Sequence, residues 1–139
     1  MTETILKKKM FEHFETLNEF SKRKFIKDNN VSYQNKPFII PQNKTWYRIN
    51  CTFDEPFSVG LGKDSQNRWV GIFQIDVYTP IGKGEDEFEN NYKWIAELYK
   101  RGTEIDEITV MKVYRAMSEV GDTYFRNIIR VEFNADLDN

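Results

Sequence analysis

The feature that most restricts the fold is a strict two-residue alternation in the middle of the chain. Between residues 68 and 79, Phe73, Ile75 and Val77 fall on one side of an extended chain, and Gln74, Asp76 and Tyr78 fall on the other. Between residues 45 and 53, Tyr47, Ile49, Cys51 and Phe53 alternate with Arg48, Asn50 and Thr52. A side-chain period of two is the signature of a half-buried strand. Sheets built from such strands bury one face and leave the other to water. Pro80-Ile81-Gly82-Lys83-Gly84 stops the first of these runs.

Two stretches with helical spacing can cover the apolar face. In residues 2–27, Leu6, Met10, Phe14 and Leu17 are spaced by four, four and three, with Phe20 and Phe25 widening the stripe. No Pro or Gly interrupts, and Asp28-Asn29-Asn30 ends the run. A helix of that span is about 39 Å long. The radius of gyration of a chain this size is only about 14 Å, so the helix would cross the whole domain. In residues 85–101, Phe88, Tyr92, Ile95 and Tyr99 share a face. Acids open this stretch, Lys100 and Arg101 close it, and Gly102 follows, which is the order that suits a helix dipole and its C-terminal cap.

The remaining segments read as connections and further strands. Residues 31–43 form a connector in which Pro37 and Pro41 flank a short extended segment, Phe38-Ile39-Ile40. Residues 54–67 form a long loop or protruding hairpin, and long connections in small domains tend to be functional. Residues 108–117 and 123–133 are β-rich and joined through Gly121-Asp122. The acidic tail, residues 134–139, is expected to fray. The fold expected is α+β: an antiparallel sheet of about four to five strands with two helices packed on one face, in the order α-β-β-α-β-β. With 139 residues and no repeat or linker, residues 1–139 read as a single domain. The expected core is Leu6, Met10, Phe14, Leu17, Ile49, Phe53, Phe73, Ile75, Val77, Phe88, Ile95, Leu98, Val113, Ile129, Val131 and Phe133.

Charge narrows the function. Twenty Lys and Arg against 22 Asp and Glu leave a formal charge of −2, without the basic surplus of a nucleic-acid-binding domain. No apolar run approaches the roughly 20 residues of a membrane span. The first residues do not read as a signal peptide. One unpaired Cys suits a reducing cytoplasm.

No constellation of residues carries catalysis. His13 has no second His or nearby Cys with which to ligate a metal. Cys51 alternates with core positions and reads as a buried, inert thiol. Gly60-Leu61-Gly62-Lys63-Asp64 fails as a phosphate loop, because Phe57 stands where the first glycine belongs and Asp64 where Ser or Thr belongs. Gly82-Lys83-Gly84 is followed by acids that repel an anion. The reading is no enzyme, no cofactor and no metal, hence no catalytic, cofactor-binding or metal-ligating residues. A rival reading, a small-ligand-binding domain around Trp69 and Trp94, requires a deep pocket with convergent polar groups.

Two surfaces offer themselves to partners. The loop at 54–67 carries Phe57, Val59 and Leu61, with Lys63 beside them, and apolar residues on a projection mark an interaction site. The polar side of the sheet carries Arg48, Asp76, Arg126 and Arg130 with Gln74, charges suited to fixing register between subunits.

The order of motifs carries a resemblance. Tyr33-Gln34-Asn35-Lys36-Pro37-Phe38-Ile39-Ile40-Pro41 precedes Trp46-Tyr47-Arg48-Ile49. Val59-Gly60-Leu61-Gly62, then Gly71-Ile72-Phe73-Gln74-Ile75-Asp76-Val77-Tyr78, then Pro80-Ile81-Gly82-Lys83-Gly84 follow. Tyr124-Phe125-Arg126 opens the last strand. Over roughly residues 2–134 the chain resembles the tail terminator-like family of long-tailed bacteriophages and prophages. The resemblance implies a structural assembly protein that forms a homo-oligomeric ring, a hexamer, on the tail tube. It implies that the ring stops tube polymerisation and offers a head-joining surface. The implied partners are other copies of the chain, the major tail tube protein and a head-connector or neck protein. The implied location is the virion tail, and the host cytoplasm during assembly. Another neck or tail-completion ring protein is the alternative within the same class.

Overall fold

The computed structural model describes residues 2–60, 62, 66–82 and 85–137. Helix α1 (Thr2–Glu15) and the short α2 (Leu17–Ser21) lead into β1 (Val31–Tyr33) and β2 (Trp46–Phe53). The two-residue β3 (Phe57–Ser58), long β4 (Asn67–Pro80) and α3 (Glu85–Leu98) follow. Two-residue β5 (Glu104–Ile105), β6 (Ile108–Val120) and β7 (Tyr124–Leu137) complete the described chain. The sheet order is β1-β2-β4-β7-β6-β5, with β3 paired to β4.

The α+β class and the principal strands match the sequence expectation, and several details differ. The described sheet has seven strands, not four or five, because β1, β3 and β5 are too short to show a period. It is not purely antiparallel: β1 runs parallel to β2, with Val31 opposite Tyr47 and Tyr33 opposite Ile49. A parallel pair needs a connection of about a dozen residues or more, and the proline-containing segment 34–45 supplies it. Residues 38–40 form no strand, since Pro37 and Pro41 cannot donate to a ladder. The side chain of Gln34 accepts from the Cys51 backbone N–H at 2.9 Å and so caps the β2 edge that β1 leaves uncovered.

The expected helix over 2–27 breaks after Glu15 and ends at Ser21. Thr16 turns its hydroxyl back onto the His13 carbonyl at 2.6 Å, a local bond that competes with helix continuation. Lys22 then adopts a left-handed conformation, φ 58°. Asn18 holds the following loop by donating to the Ile26 carbonyl at 2.6 Å and accepting its N–H at 2.8 Å. The second helix ends at Leu98. The tail expected to fray from Asn134 is paired to Leu137, and Asp136 binds the Arg68 guanidinium at 2.8 and 2.9 Å.

The helices cover one face of the sheet. Leu6, Met10, Phe14 and Leu17 meet Tyr47, Ile49, Cys51, Phe73, Ile75 and Val77 beneath them, and β6 and β7 contribute Val110, Ile129 and Val131. Phe53 and Val113 are only half-buried against this core, while Tyr47, Tyr99, Ile108 and Ala135 belong to it. The Tyr99 hydroxyl donates to the Met10 carbonyl at 2.9 Å and ties α1 to the chain following α3. His13 Nε2 lies 3.0 Å from the Leu98 carbonyl at the same junction. At Gly71 an added Cβ would stand 2.5 Å from Phe133 Cζ, so the Phe53 and Phe133 rings can close over that strand only because a glycine is there.

A candidate interaction surface

The face of the sheet turned away from the helices carries the polar positions of the alternation, with Trp46, Met117 and Ile128 among them. Pairing register lines them up in rows across four strands. Arg48, Asp76, Ile128 and Met117 form one row, and Asn50, Gln74, Arg130 and Tyr114 the next. Trp46, Tyr78, Arg126 and Glu119 form a third row toward the end of β4.

These rows are joined by charge-assisted hydrogen bonds. Asp76 is 1% exposed. Its Oδ2 accepts from Arg126 at 2.8 and 3.2 Å, and its Oδ1 accepts from Gln74 at 2.8 Å. Arg126 also donates to Glu119 at 2.8 Å, and Arg130 donates to Gln74 at 3.2 Å. Burial works against the Arg126 charge, but its hydrogen bond and attraction to Asp76 outweigh that and raise its pKa. A buried carboxylate is tolerable only when paired in this way. The structure thus brings four of the expected site residues, Arg48, Asp76, Arg126 and Arg130, onto one face, and links three of them into one chain of bonds.

Arg48 behaves differently. It makes no ion pair among the described residues. Its guanidinium lies 5.2 Å from the Trp46 ring centre and 5.7 Å from that of Tyr78. Those two rings stack at 3.9 Å, Phe38 stacks on Trp46 at 5.3 Å, and Tyr124 meets Trp46 edge-on at 6.3 Å. Burial pushes the Tyr78 phenol above its ordinary pKa, against the pull of the Arg126 and Arg48 charges. The Tyr124 hydroxyl donates to the Pro41 carbonyl and pins the connector here. Ile39 and Ile40 in that connector are 89% and 52% exposed. A cavity of about 310 Å³ lies among Ile40, Trp46, Tyr78, Tyr124 and Arg126.

This aromatic cluster was not legible as a site from sequence. Tyr78 falls on the polar side of the alternation, but only the register that sets it opposite Trp46 reveals the stack.

Phe57 and Val59 lie at the other end of the molecule. Phe57 pairs with Arg68 and Ser58 with Asn67, which confirms a hairpin at the root of the 54–67 segment. Phe57 and Val59 are 51% and 40% exposed. Leu61 and Lys63, expected to join them, lie outside the described residues.

Cys51 is fully buried and burial pushes its thiol up to about 12. Trp69 and Trp94 act as packing groups, Trp69 against Phe53 and Trp94 against Phe20. A larger cavity of about 510 Å³ lies elsewhere, bordered by Lys24, Lys27, Lys44, Tyr47 and Asn91. No group of three or more metal-ligating side chains occurs among the described residues. No described helix is long and apolar enough to cross a membrane.

A family model described as phage tail terminator protein matches residues 13–125. That span reaches from the end of α1 to the start of β7. No curated protein matches the chain. Six chains of solved structures match it. One of them is 18% identical, covers 94% of this chain and 94% of that chain, and superposes with a TM-score of 0.64. At that identity the likeness speaks for the fold alone.

Proposed function

This chain belongs to the phage tail terminator family, and from that premise we propose that it caps the tail tube as a homo-oligomeric ring. Membership makes it a structural protein of phage tail assembly. The finer reading is that a hexameric ring forms on the last layer of tube subunits, ends their addition and presents a surface to a neck protein. Assembly takes place in the host cytoplasm, and the ring remains in the virion tail. The match over residues 13–125 carries this reading.

The geometry supports it in two ways. A cap must bind many copies of one partner without changing it, and the surface described above consists of ordered charges and aromatic rings held on a rigid sheet. Arg, Trp and Tyr are the side chains that dominate protein–protein contacts. Two groups of exposed apolar residues, Ile39 with Ile40 and Phe57 with Val59, also occupy opposite ends of the sheet. A ring of like subunits needs two different surfaces on each copy, because its contacts are heterologous.

The reading is tested by adding the purified protein to polymerising tail tube subunits. Tubes that stop elongating at substoichiometric ratios of protein to tube subunit support it. Tubes that elongate at an unchanged rate, with no protein at their ends in electron micrographs, contradict it.

A further inference from the structure

The geometry points to a specific contact between copies: the acidic, apolar hairpin of one copy, with Glu55, Phe57 and Val59, docks in the aromatic and arginine cluster of the next, with Ile40, Trp46, Arg48 and Tyr78. This inference rests on the ring reading and names the contact that closes the ring.

Three observations carry it. The first is separation. The hairpin is paired to the start of β4 at Asn67 and Arg68, and the cluster includes Tyr78 on the same strand. Ten residues of strand set them about 33 Å apart. β4 is paired on both sides along most of that length, so it does not fold back. The hairpin cannot reach its own cluster, and a contact between the two joins different copies.

The second is charge complementarity. Asp54 and Glu55, at the base of the hairpin, are exposed and form no ion pair among the described residues. Arg48 is the matching charge, exposed on its aromatic platform and likewise without a carboxylate. Glu119 on the rim of the cluster is already taken by Arg126. Asp122 also lines the cavity there, so in this pairing the acids of the hairpin lie toward Arg48 and only its apolar side chains face the cavity.

The third is fit. The cavity of about 310 Å³ beside Ile40, Trp46 and Tyr78 stands at the lower end of ligand pockets, about 300–1,000 Å³. It accepts one or two apolar side chains, not a whole element. Each such contact is small, and several closed into a ring on the tube reinforce one another.

Chains with one added, accessible cysteine test the pairing in the full-length protein, since the native Cys51 is fully buried. Val59→Cys chains mixed with Ile40→Cys chains are expected to form a disulfide-linked dimer under mild oxidation that neither variant forms alone. Charge exchange gives a second reading. Arg48→Glu and Glu55→Arg are each expected to weaken association about 5- to 10-fold, and the two together to recover most of it. Association in sedimentation without the mixed cross-link, or charge reversals without recovery, overturns this pairing while the ring stands. A chain that associates neither alone nor on tube ends overturns the ring, and the pairing with it.

Discussion

Asp76 lies almost wholly buried on the face of the sheet that has no helix above it, and Arg126 is what allows it to stay there. The guanidinium supplies two hydrogen bonds to Oδ2, and Gln74 supplies one to Oδ1. Arg130 differs, since among the described residues it makes a single bond, to the neutral Gln74 at 3.2 Å. Removing Arg126 leaves a buried carboxylate without its counter-charge, whereas removing Arg130 leaves an amide that Asp76 still engages. Arg126→Leu is therefore expected to cost about 2–3 kcal/mol in urea denaturation, reduced from the fully buried case by the partial exposure of the guanidinium. Arg130→Leu is expected to cost under about 0.5 kcal/mol. Equal losses for the two would show that the Asp76 pairing does not stabilise the face. The alternation placed Asp76, Arg126 and Arg130 on one side of their strands, and that part of the site was legible. Which arginine pairs with the carboxylate was not, because it depends on the offset between β4 and β7.

At the scale of elements, α1 is fastened by polar contacts at Lys9, Met10 and His13, and the fastening at Lys9 is titratable. Lys9 Nζ donates to Glu107 Oε1 at 2.6 Å and lies 3.4 Å from Asp106 Oδ2, joining the helix to the β5–β6 turn. The hydrogen bond from Lys9 lowers the Glu107 pKa, and the same bond raises that of Lys9. A lowered carboxyl pKa gives stability that is present above its unfolded value, about 4.3, and fades as pH falls through the folded value. A raised amine pKa gives stability that is present below its unfolded value, about 10.4, and fades as pH rises through the folded value. The pair's contribution is accordingly flat between about pH 5 and 10 and lost on either side. Lys9→Met is expected to lower stability at neutral pH by about 0.5–1 kcal/mol, with the gap to the native chain closing below about pH 4. A gap independent of pH would mean that only the lysine stem matters.

The same helix shows what periodicity conveys. Its buried face was readable from the four-four-three spacing through Leu17, but the break after Glu15 was not. It depends on the Thr16 hydroxyl and on Asn18 capturing Ile26, and the apolar spacing passes through both unchanged. Strand β1 was hidden for a related reason. Three residues carry no period, and Val31 to Tyr33 pair in parallel with β2 only because the connector is long enough to bring the chain round.

The whole molecule is a sheet covered by helices on one side only, with different exposed apolar groups at its two ends. Family membership gives it a role in phage tail assembly, and the arrangement suits a subunit that meets copies of itself at its ends. In the proposed role this protein ends the tube and readies it for the head. Electron microscopy of particles from cells producing the phage without this protein tests it most directly, because length and joining are read in one image. Tail-like tubes of abnormal length are expected, together with heads that carry no tail. Tubes of normal length left unjoined would assign the chain to the neck instead, and normal-length tails already attached to heads would contradict the account altogether.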